Sequence, residues 1–317
     1  MTPLQVWLAV KKVMDETNGS YIGHNRQYIV DRVRRSRKEM DFGDKFRAVE
    51  CLHNVMSDSD CPFLHYHASF PDRSNPKELM QLMVFANPTL IPLLKSKKLD
   101  IFVDATFDCC PAPFYQCLIV MVFDDQTGSY VPVVYILMTH KNDELYWEAI
   151  ARIPVLVDFK LDCHSFTSDF ERALINNLKR HLDTAQHVGC YFHLKQAWWK
   201  YMRDVLKFDE VDMTLACSAG GLDMLTVIPQ DEVVQFGIPF LSKLYDFCVD
   251  NEKKKKWDAF WAYFEMQWLP FLDSWNVYGV DGNLKRLRNR TNNAIESYNC
   301  RMNSLFLKKP SLVEFVQ

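Results

Sequence analysis

Three short apolar segments between residues 99 and 140 predict a run of β-strands. "LDIFVDATF", "FYQCLIVMVF" and "YVPVVYILMTH" are rich in the β-branched and aromatic residues that favour strands. The turn sequence "DDQTGS" separates the last two segments. Together they predict a meander of three strands.

Helical and strand patterns then alternate up to about residue 200. "NDELYWEAIARIPVLV" predicts a helix capped by Asn142 or Asp143, "DCHSFTSDF" a short strand, and "ERALINNLKRHL" a second helix. "QHVGCYFH" predicts another strand, and "LKQAWWKYM" the helix that follows it. The order βββ-α-β-α-β-α predicts an α/β protein with a mixed sheet between layers of helices, and it resembles the ribonuclease H-like fold. We expect this core to occupy residues 85–200 and to end in a helix within 286–317.

The remaining regions are predicted to be helical. Residues 1–60 contain two helical segments, and the second, "RQYIVDRVRRSRKEM", is basic. A DNA-binding region similar to a helix-turn-helix and a solvated basic face are equally good interpretations. Residues 201–285 predict an all-helical insertion. An aromatic stripe there, which we expect to form a packing core, consists of Trp257, Phe260, Trp261, Phe264 and Trp268.

Composition narrows the class of protein. Hydrophobic residues make up 48% of the 317 positions, enough for a sizeable core. The net charge of −3 means that binding to nucleic acid must depend on local basic patches. The sequence contains neither a secretory signal nor an apolar run that could span a bilayer, and its ten cysteines have no regular spacing. We therefore expect an intracellular protein with reduced thiols and no membrane partner.

Two aspartates in the predicted core are candidate metal ligands. Asp104 lies inside the first strand, where an ionised carboxylate is unfavourable unless it is paired or bound to metal. Asp169 stands where a strand meets a helix, and its alternative role is to cap that helix, with Glu171 in the first turn. Asp108, near the strand end, is a weaker candidate. Carboxylates on adjacent strands suit divalent cations and phosphoryl transfer.

"RTNNAIESYNCRMN", residues 290–303, contains one acid, Glu296, in a basic neighbourhood. Locally, Asn293 and Glu296 match a capping box with Asn293 as the N-cap. A surface ion pair and a carboxylate that does chemistry beside a polyanion are the alternatives. Glu296 also belongs to a polar strip that could face a metal site, formed by Asn292, Glu296, Asn299 and Asn303. Basic residues that we expect to bind DNA are Arg32, Arg34, Arg35, Arg37, Arg288, Arg290 and Arg301.

Cys190 and His193 have the spacing of half a zinc site. The sequence offers no second pair at a convincing spacing, so structural roles are favoured over zinc. A role for His193 near a scissile phosphate stays open.

Four motifs in this order, "DATF", "SDFERAL", "GCYFHLKQA" and "RTNNAIESYNCRMN", resemble those of the Mutator-like element (MULE) transposases, which belong to the DDE superfamily. The resemblance extends over residues 85–315. It implies a catalytic and metal-binding triad matched by Asp104, Asp169 and Glu296, and a two-metal site for Mg²⁺ or Mn²⁺. It also implies a family C-x2-H motif, matched by Cys190 and His193, whose role it does not fix.

The implied activity is strand cleavage and transfer in DNA transposition. The implied partners are transposon ends and target DNA, with a homodimer or higher oligomer as an option, and the implied location in a eukaryotic host is the nucleus. Two alternatives remain: a domesticated, transposase-derived DNA-binding or regulatory protein without transposition activity, and a nuclease of the same fold. No complete zinc finger is recognisable, so a truncated or degenerate transposase is also within expectation.

Overall fold

Seven strands form one mixed sheet in the described part of the chain, in the order β1-β2-β5-β4-β3-β6-β7. The computed structural model describes residues 3–18, 25–40, 46, 62–73, 75–246, 250–278, 291–306 and 310–316. The strands are β1 (Leu64–Pro71), β2 (Leu79–Ala86), β3 (Leu99–Thr106), β4 (Gln116–Asp124), β5 (Ser129–Met138), β6 (Cys163–Ser168) and β7 (Gln186–Gly189).

The predicted order of elements is confirmed from Leu99 onwards. β3, β4 and β5 pair as an antiparallel meander, whereas β6 and β7 continue the sheet in parallel from β3. Helices alternate with the later strands: α3 (Asp143–Val155), α4 (Arg172–His181) and α5 (Tyr191–Asp204). Asn142 caps α3, because its side chain accepts a hydrogen bond from the backbone N–H of Leu145 at 3.0 Å.

The sequence did not predict β1 and β2. They extend the sheet beyond β5 in antiparallel pairing, with Val84 opposite Ile136. The edge strand β1 has the sequence "LHYHASFP" and only partial burial, so its local pattern is weak. Its strand conformation depends on the pairing with β2.

Hydrophobic clusters cover both faces of the sheet. One face packs against α3 and α4, and the other against α10 (Asn293–Leu305) and α11 (Leu312–Val316). Alternate residues of a strand point to opposite faces, so Ile101 and Val103 join the first cluster while Phe102 joins the second. The same alternation places Asp104 on the side of α10.

Helices also form the described residues between β7 and α10. After α5 they include α6 (Glu210–Cys217), α7 (Ile238–Asp246), α8 (Asn251–Gln267) and α9 (Leu272–Trp275), and a π-helical segment, Val233–Gly237, precedes α7. All five residues of the predicted aromatic stripe are buried in one cluster with α5. The expectation of a packing core is confirmed, and α8 ends at Gln267, three residues before Pro270.

The N-terminal region contains the two predicted helices, α1 (Pro3–Asn18) and α2 (Arg26–Met40), which contact each other. Residues 19–24, which connect them, lie outside the described residues, so the helix-turn-helix interpretation stays a prediction. Among the helices that the structure describes, none combines the length and apolar character needed to cross a bilayer.

The aromatic cluster yields a prediction about stability. Phe264 is fully buried, and its ring centroid lies 5.7 Å from that of Trp198 and 5.8 Å from that of Trp275. Phe264→Ala should lower the free energy of unfolding by about 3–5 kcal/mol, because it leaves a cavity among rings. Met266, 74% exposed in the same helix, is the matched control, and its change to Ala should cost within about 0.5 kcal/mol. Urea unfolding that gives equal losses for both variants contradicts this packing.

Candidate active site

The candidate site lies where neighbouring parallel strands end at the same edge of the sheet. Phe102 of β3 pairs with Thr167 of β6, so continuing both chains by two residues brings Asp104 level with Asp169. Cys190 directly follows β7, and its backbone N–H donates to the carbonyl oxygen of Ser168 at 2.8 Å. The carboxyl ends of parallel strands thus gather Asp104, Asp169 and Cys190 at one edge.

The polar strip of α10 faces this edge. Asn299 Nδ2 donates to Asp104 Oδ2 at 2.7 Å, and Asn303 Oδ1 accepts from Thr106 Oγ1 at 3.0 Å. Asn292 Nδ2 reaches the carbonyl oxygen of Val103 at 3.4 Å. The sequence does not identify Asn299 as the hydrogen-bond partner of Asp104. The available signal is the helical spacing of Asn292, Glu296, Asn299 and Asn303, which places Asn299 on the same face as Glu296.

Asp169 is half-buried and occupies the turn between β6 and α4. Its Oδ1 accepts a hydrogen bond from the backbone N–H of Glu171 at 3.1 Å. The helix α4 begins at Arg172 with Glu171 as its N-cap, so the alternative with Asp169 as the cap and Glu171 in the first turn is wrong. Asp169 instead stabilises the turn before the helix.

The side chain of Glu296 faces α5. The helix α10 begins at Asn293 with Asn292 as its N-cap, and no side chain makes a capping hydrogen bond there. The capping-box alternative, with Asn293 as N-cap, is therefore wrong. Glu296 Oε1 lies 3.8 Å from Cys190 Sγ and 3.6 Å from His193 Nδ1.

Burial and mutual repulsion shape the charges of the site. Burial first, and then the negative charges of Asp169 and Glu296, raise the pKa of Asp104 to about 7, against the opposing hydrogen bond from Asn299. Burial also raises the pKa of Glu296, while the charge of His193 opposes that shift. Three carboxylates therefore lie near enough to affect one another in a half-buried space.

The carboxylates offer the hard oxygen ligands that Mg²⁺ and Mn²⁺ prefer. A cation would relieve the repulsion that raises the pKa of Asp104. Asn299 adds a buried Oδ1 that has no hydrogen-bond partner among the described residues. Within the same residues, Cys, His or carboxylate ligand atoms in groups of three or more come close enough to share one ion only at Cys190, His193 and Glu296. Asp104, Asp169 and Glu296 do not form such a group, so a single ion would not contact all three in this arrangement.

The basic residues expected to contact DNA are only partly described. Arg32 and Arg35 are exposed on α2, and Arg301 is exposed on α10. Arg34 and Arg37 also belong to α2, whereas Arg288 and Arg290 lie outside the described residues. Their binding to DNA stays a prediction.

The raised pKa of Asp104 predicts a pH-dependent stability in metal-free protein. The carboxyl has a pKa of 3.8 in the unfolded chain and about 7 in the folded one, so folding is penalised as pH rises through this range. Asp104→Asn removes the penalty, so between pH 4 and pH 8 its stability should gain up to about 4 kcal/mol relative to the unmodified protein. Urea unfolding in a chelator checks this, and Mg²⁺ should reduce the difference.

Asp108 provides the control for this comparison, since it is exposed near the end of β3. Asp108→Asn should change stability by less than about 0.5 kcal/mol at either pH. An Asp104→Asn variant whose stability follows the unmodified protein at every pH would contradict the electrostatic account.

Comparison with known families agrees with this geometry. Residues 101–197 match the sequence model of the MULE transposase domain. No curated protein matches the chain. The matched segment runs from β3 into α5 and contains Asp104, Asp169, Cys190 and His193, whereas Glu296 lies beyond it. The resemblance drawn from the motifs is confirmed for this segment, which is similar to the MULE transposase domain.

Proposed function

We propose that this chain is the catalytic core of a MULE-type DNA transposase, which cleaves DNA strands at element ends and transfers them to target DNA. The observation that carries the proposal is that the charges of Asp169 and Glu296 act on buried Asp104 and help to raise its pKa to about 7. Asp104 and Asp169 come from adjacent parallel strands, and Glu296 comes from the helix that packs over them. A divalent cation bound between these carboxylates would offset the repulsion that Asp169 and Glu296 exert on Asp104.

Strand order supports a ribonuclease H-like core within this proposal. The five strands from β3 to β7 lie in the order β5-β4-β3-β6-β7. β3 is antiparallel to β4 and parallel to β6, so the meander and the alternating part of the chain meet at β3. Asp104 therefore lies on the strand that joins the two halves of this core.

Asp104, Asp169 and Glu296 would hold the metal ions, with Asn299 fixing the position of Asp104. When bound, a pair of divalent cations would activate water or a DNA 3′-hydroxyl and stabilise the leaving oxygen. The chain itself supplies orientation: the hydrogen bond from Asn299 holds one oxygen of Asp104, and the bond to Glu171 holds one oxygen of Asp169. Carboxylates that are fixed before binding lose little conformational freedom on loading.

DNA is the partner in this proposal. Arg32, Arg35 and Arg301 are exposed and could neutralise phosphates. Nuclear location in a eukaryotic host and assembly of more than one copy on a pair of element ends belong to the same proposal.

The triad predicts a specific pattern of lost activity. Asp104→Asn, Asp169→Asn and Glu296→Gln should each reduce Mn²⁺-dependent cleavage and strand transfer on the order of 100-fold or more. The assay uses labelled duplexes made from the sequences that flank the coding region, with plasmid as target. Asp108 is exposed in the turn after β3, and Asp108→Asn should keep activity within about twofold, as expected for a surface site.

Full activity in Glu296→Gln would remove Glu296 from the triad. Cleavage without joining would indicate a nuclease. A chain that binds these duplexes without cutting them, with affinity unchanged or improved by the carboxylate substitutions, would indicate a domesticated DNA-binding protein.

Arg301, the single basic residue of α10, gives a separate prediction about affinity. Arg301→Ala should weaken duplex binding at all sequences and lower the slope of log affinity against log salt by about one unit, as for a lost phosphate contact. Arg203 is the control, because it is exposed on α5 but paired with Asp204 at 2.7 Å. Fluorescence anisotropy over a salt series measures both variants, and equal slopes for them would exclude Arg301 from the DNA contact.

A further inference from the structure

We propose that Cys190, His193 and Glu296 form a binding site for a soft divalent cation such as Zn²⁺. Cys190 Sγ, His193 Nδ1 and a carboxylate oxygen of Glu296 all lie within 4.8 Å of one another. This site differs in ligand chemistry from the oxygen ligands at Asp104 and Asp169. It stands on its own geometry and does not depend on transposase activity.

The distance between His193 and Glu296 fits a shared ion better than a hydrogen bond, and Cys190 Sγ donates a long hydrogen bond of 3.8 Å to Glu296 Oε1. His193 Nδ1 and Glu296 Oε1 are 3.6 Å apart, beyond the usual range for an N–H···O bond. The ligand atoms of a tetrahedral zinc with sulfur, nitrogen and oxygen ligands lie roughly 3.5 Å apart, given the usual metal–ligand bond lengths. The observed 3.6 Å and the 3.8 Å from Glu296 Oε1 to Cys190 Sγ need to contract only slightly.

His193 has an unused ligand atom in this space. Its Nδ1 is buried and has no hydrogen-bond partner among the described residues. A buried ring nitrogen without a partner is unfavourable, and coordination to a cation would satisfy it. His193 remains 27% exposed and Glu296 24%, so an ion can reach the site from solvent.

The local structure favours sulfur as a ligand. Cys190 is fully buried and is the N-cap of α5. Burial raises the pKa of its thiol to about 11, so the sulfur keeps its proton until an ion binds. The backbone N–H of Asn292 donates to Cys190 Sγ at 3.2 Å, which is a typical outer contact of a metal-bound sulfur. The thiol would release its proton to solvent when the sulfur binds the ion.

The sequence presented only half of this site. Cys190 and His193 are three residues apart and lie on the same side of the first turn of α5, as the C-x2-H spacing requires. The third ligand is 106 residues from Cys190 and belongs to α10, so no spacing rule could supply it. The C-x2-H spacing alone therefore favours structural roles for Cys190 and His193. The position of Glu296 beside both residues favours metal binding instead.

Cobalt binding tests the site without any need for DNA cleavage. Co²⁺ added to the chain in excess Mg²⁺ should produce a thiolate-to-cobalt charge-transfer band in the near ultraviolet, and Zn²⁺ should remove it. Cys190→Ser should abolish the band. Cys300→Ser is the matched control, because Cys300 is exposed on α10, and it should leave the band unchanged.

Three further variants test whether this site is separate from the proposed catalytic one. Glu296→Gln and His193→Ala should weaken Co²⁺ binding at least about tenfold. Asp104→Asn should leave the band intact, even where it abolishes cleavage. Glu296 is half-buried, and glutamine has nearly the same size, so Glu296→Gln should fold normally. It therefore tests the site even where Cys190→Ser fails to fold. No band, or a band that persists in Cys190→Ser, would overturn the proposal.

Discussion

A buried carboxylate near the carboxyl end of an inner strand is the constraint on which the site depends. Asp104 is 9% exposed on a strand that is covered on both faces. An ionised group in such a place is unfavourable unless other groups compensate its charge. Asn299 provides one hydrogen bond, but Asp169 and Glu296 add negative charge instead of removing it. The surroundings therefore favour either a proton or a cation, and this conflict distinguishes a functional site from a packed core.

Much of the core follows from local sequence because its strands are apolar throughout and its turns are clear. β3, β4 and β5 stand out by composition, and α3 and α4 follow from helical periodicity. β1 and β2 could not be found in the same way. In Leu64–Pro71 the alternation of apolar and polar residues is weak. This segment pairs with β2 at the edge of a sheet whose other strands come from distant parts of the sequence.

The site itself was only partly predictable. Asp104 in "DATF" and Asp169 in "SDFERAL" are 65 residues apart, and the parallel pairing of β3 with β6 brings them to the same edge of the sheet. The predicted order of strands is sufficient to expect this proximity. The local sequence does not predict the role of Glu296 correctly. Asn293-x-x-Glu296 matches a capping box, but the folded helix has no capping hydrogen bond from either side chain. The N-cap is Asn292 instead of Asn293, and its side-chain Nδ2 donates a hydrogen bond to the carbonyl oxygen of Val103. Tertiary contacts with β3 and α5 thus outweighed the local preference.

Glu296 connects two different kinds of ligand chemistry. On one side it contributes charge to the oxygen-rich edge of Asp104 and Asp169, and on the other it faces a thiol and an imidazole. A hard cation prefers the first environment, and a soft one the second. Because a single carboxylate oxygen, Oε1, lies against both Cys190 and His193, a soft ion bound there would draw Glu296 towards α5. The occupancy of the sulfur-containing site would then control whether Glu296 is available at the carboxylate edge.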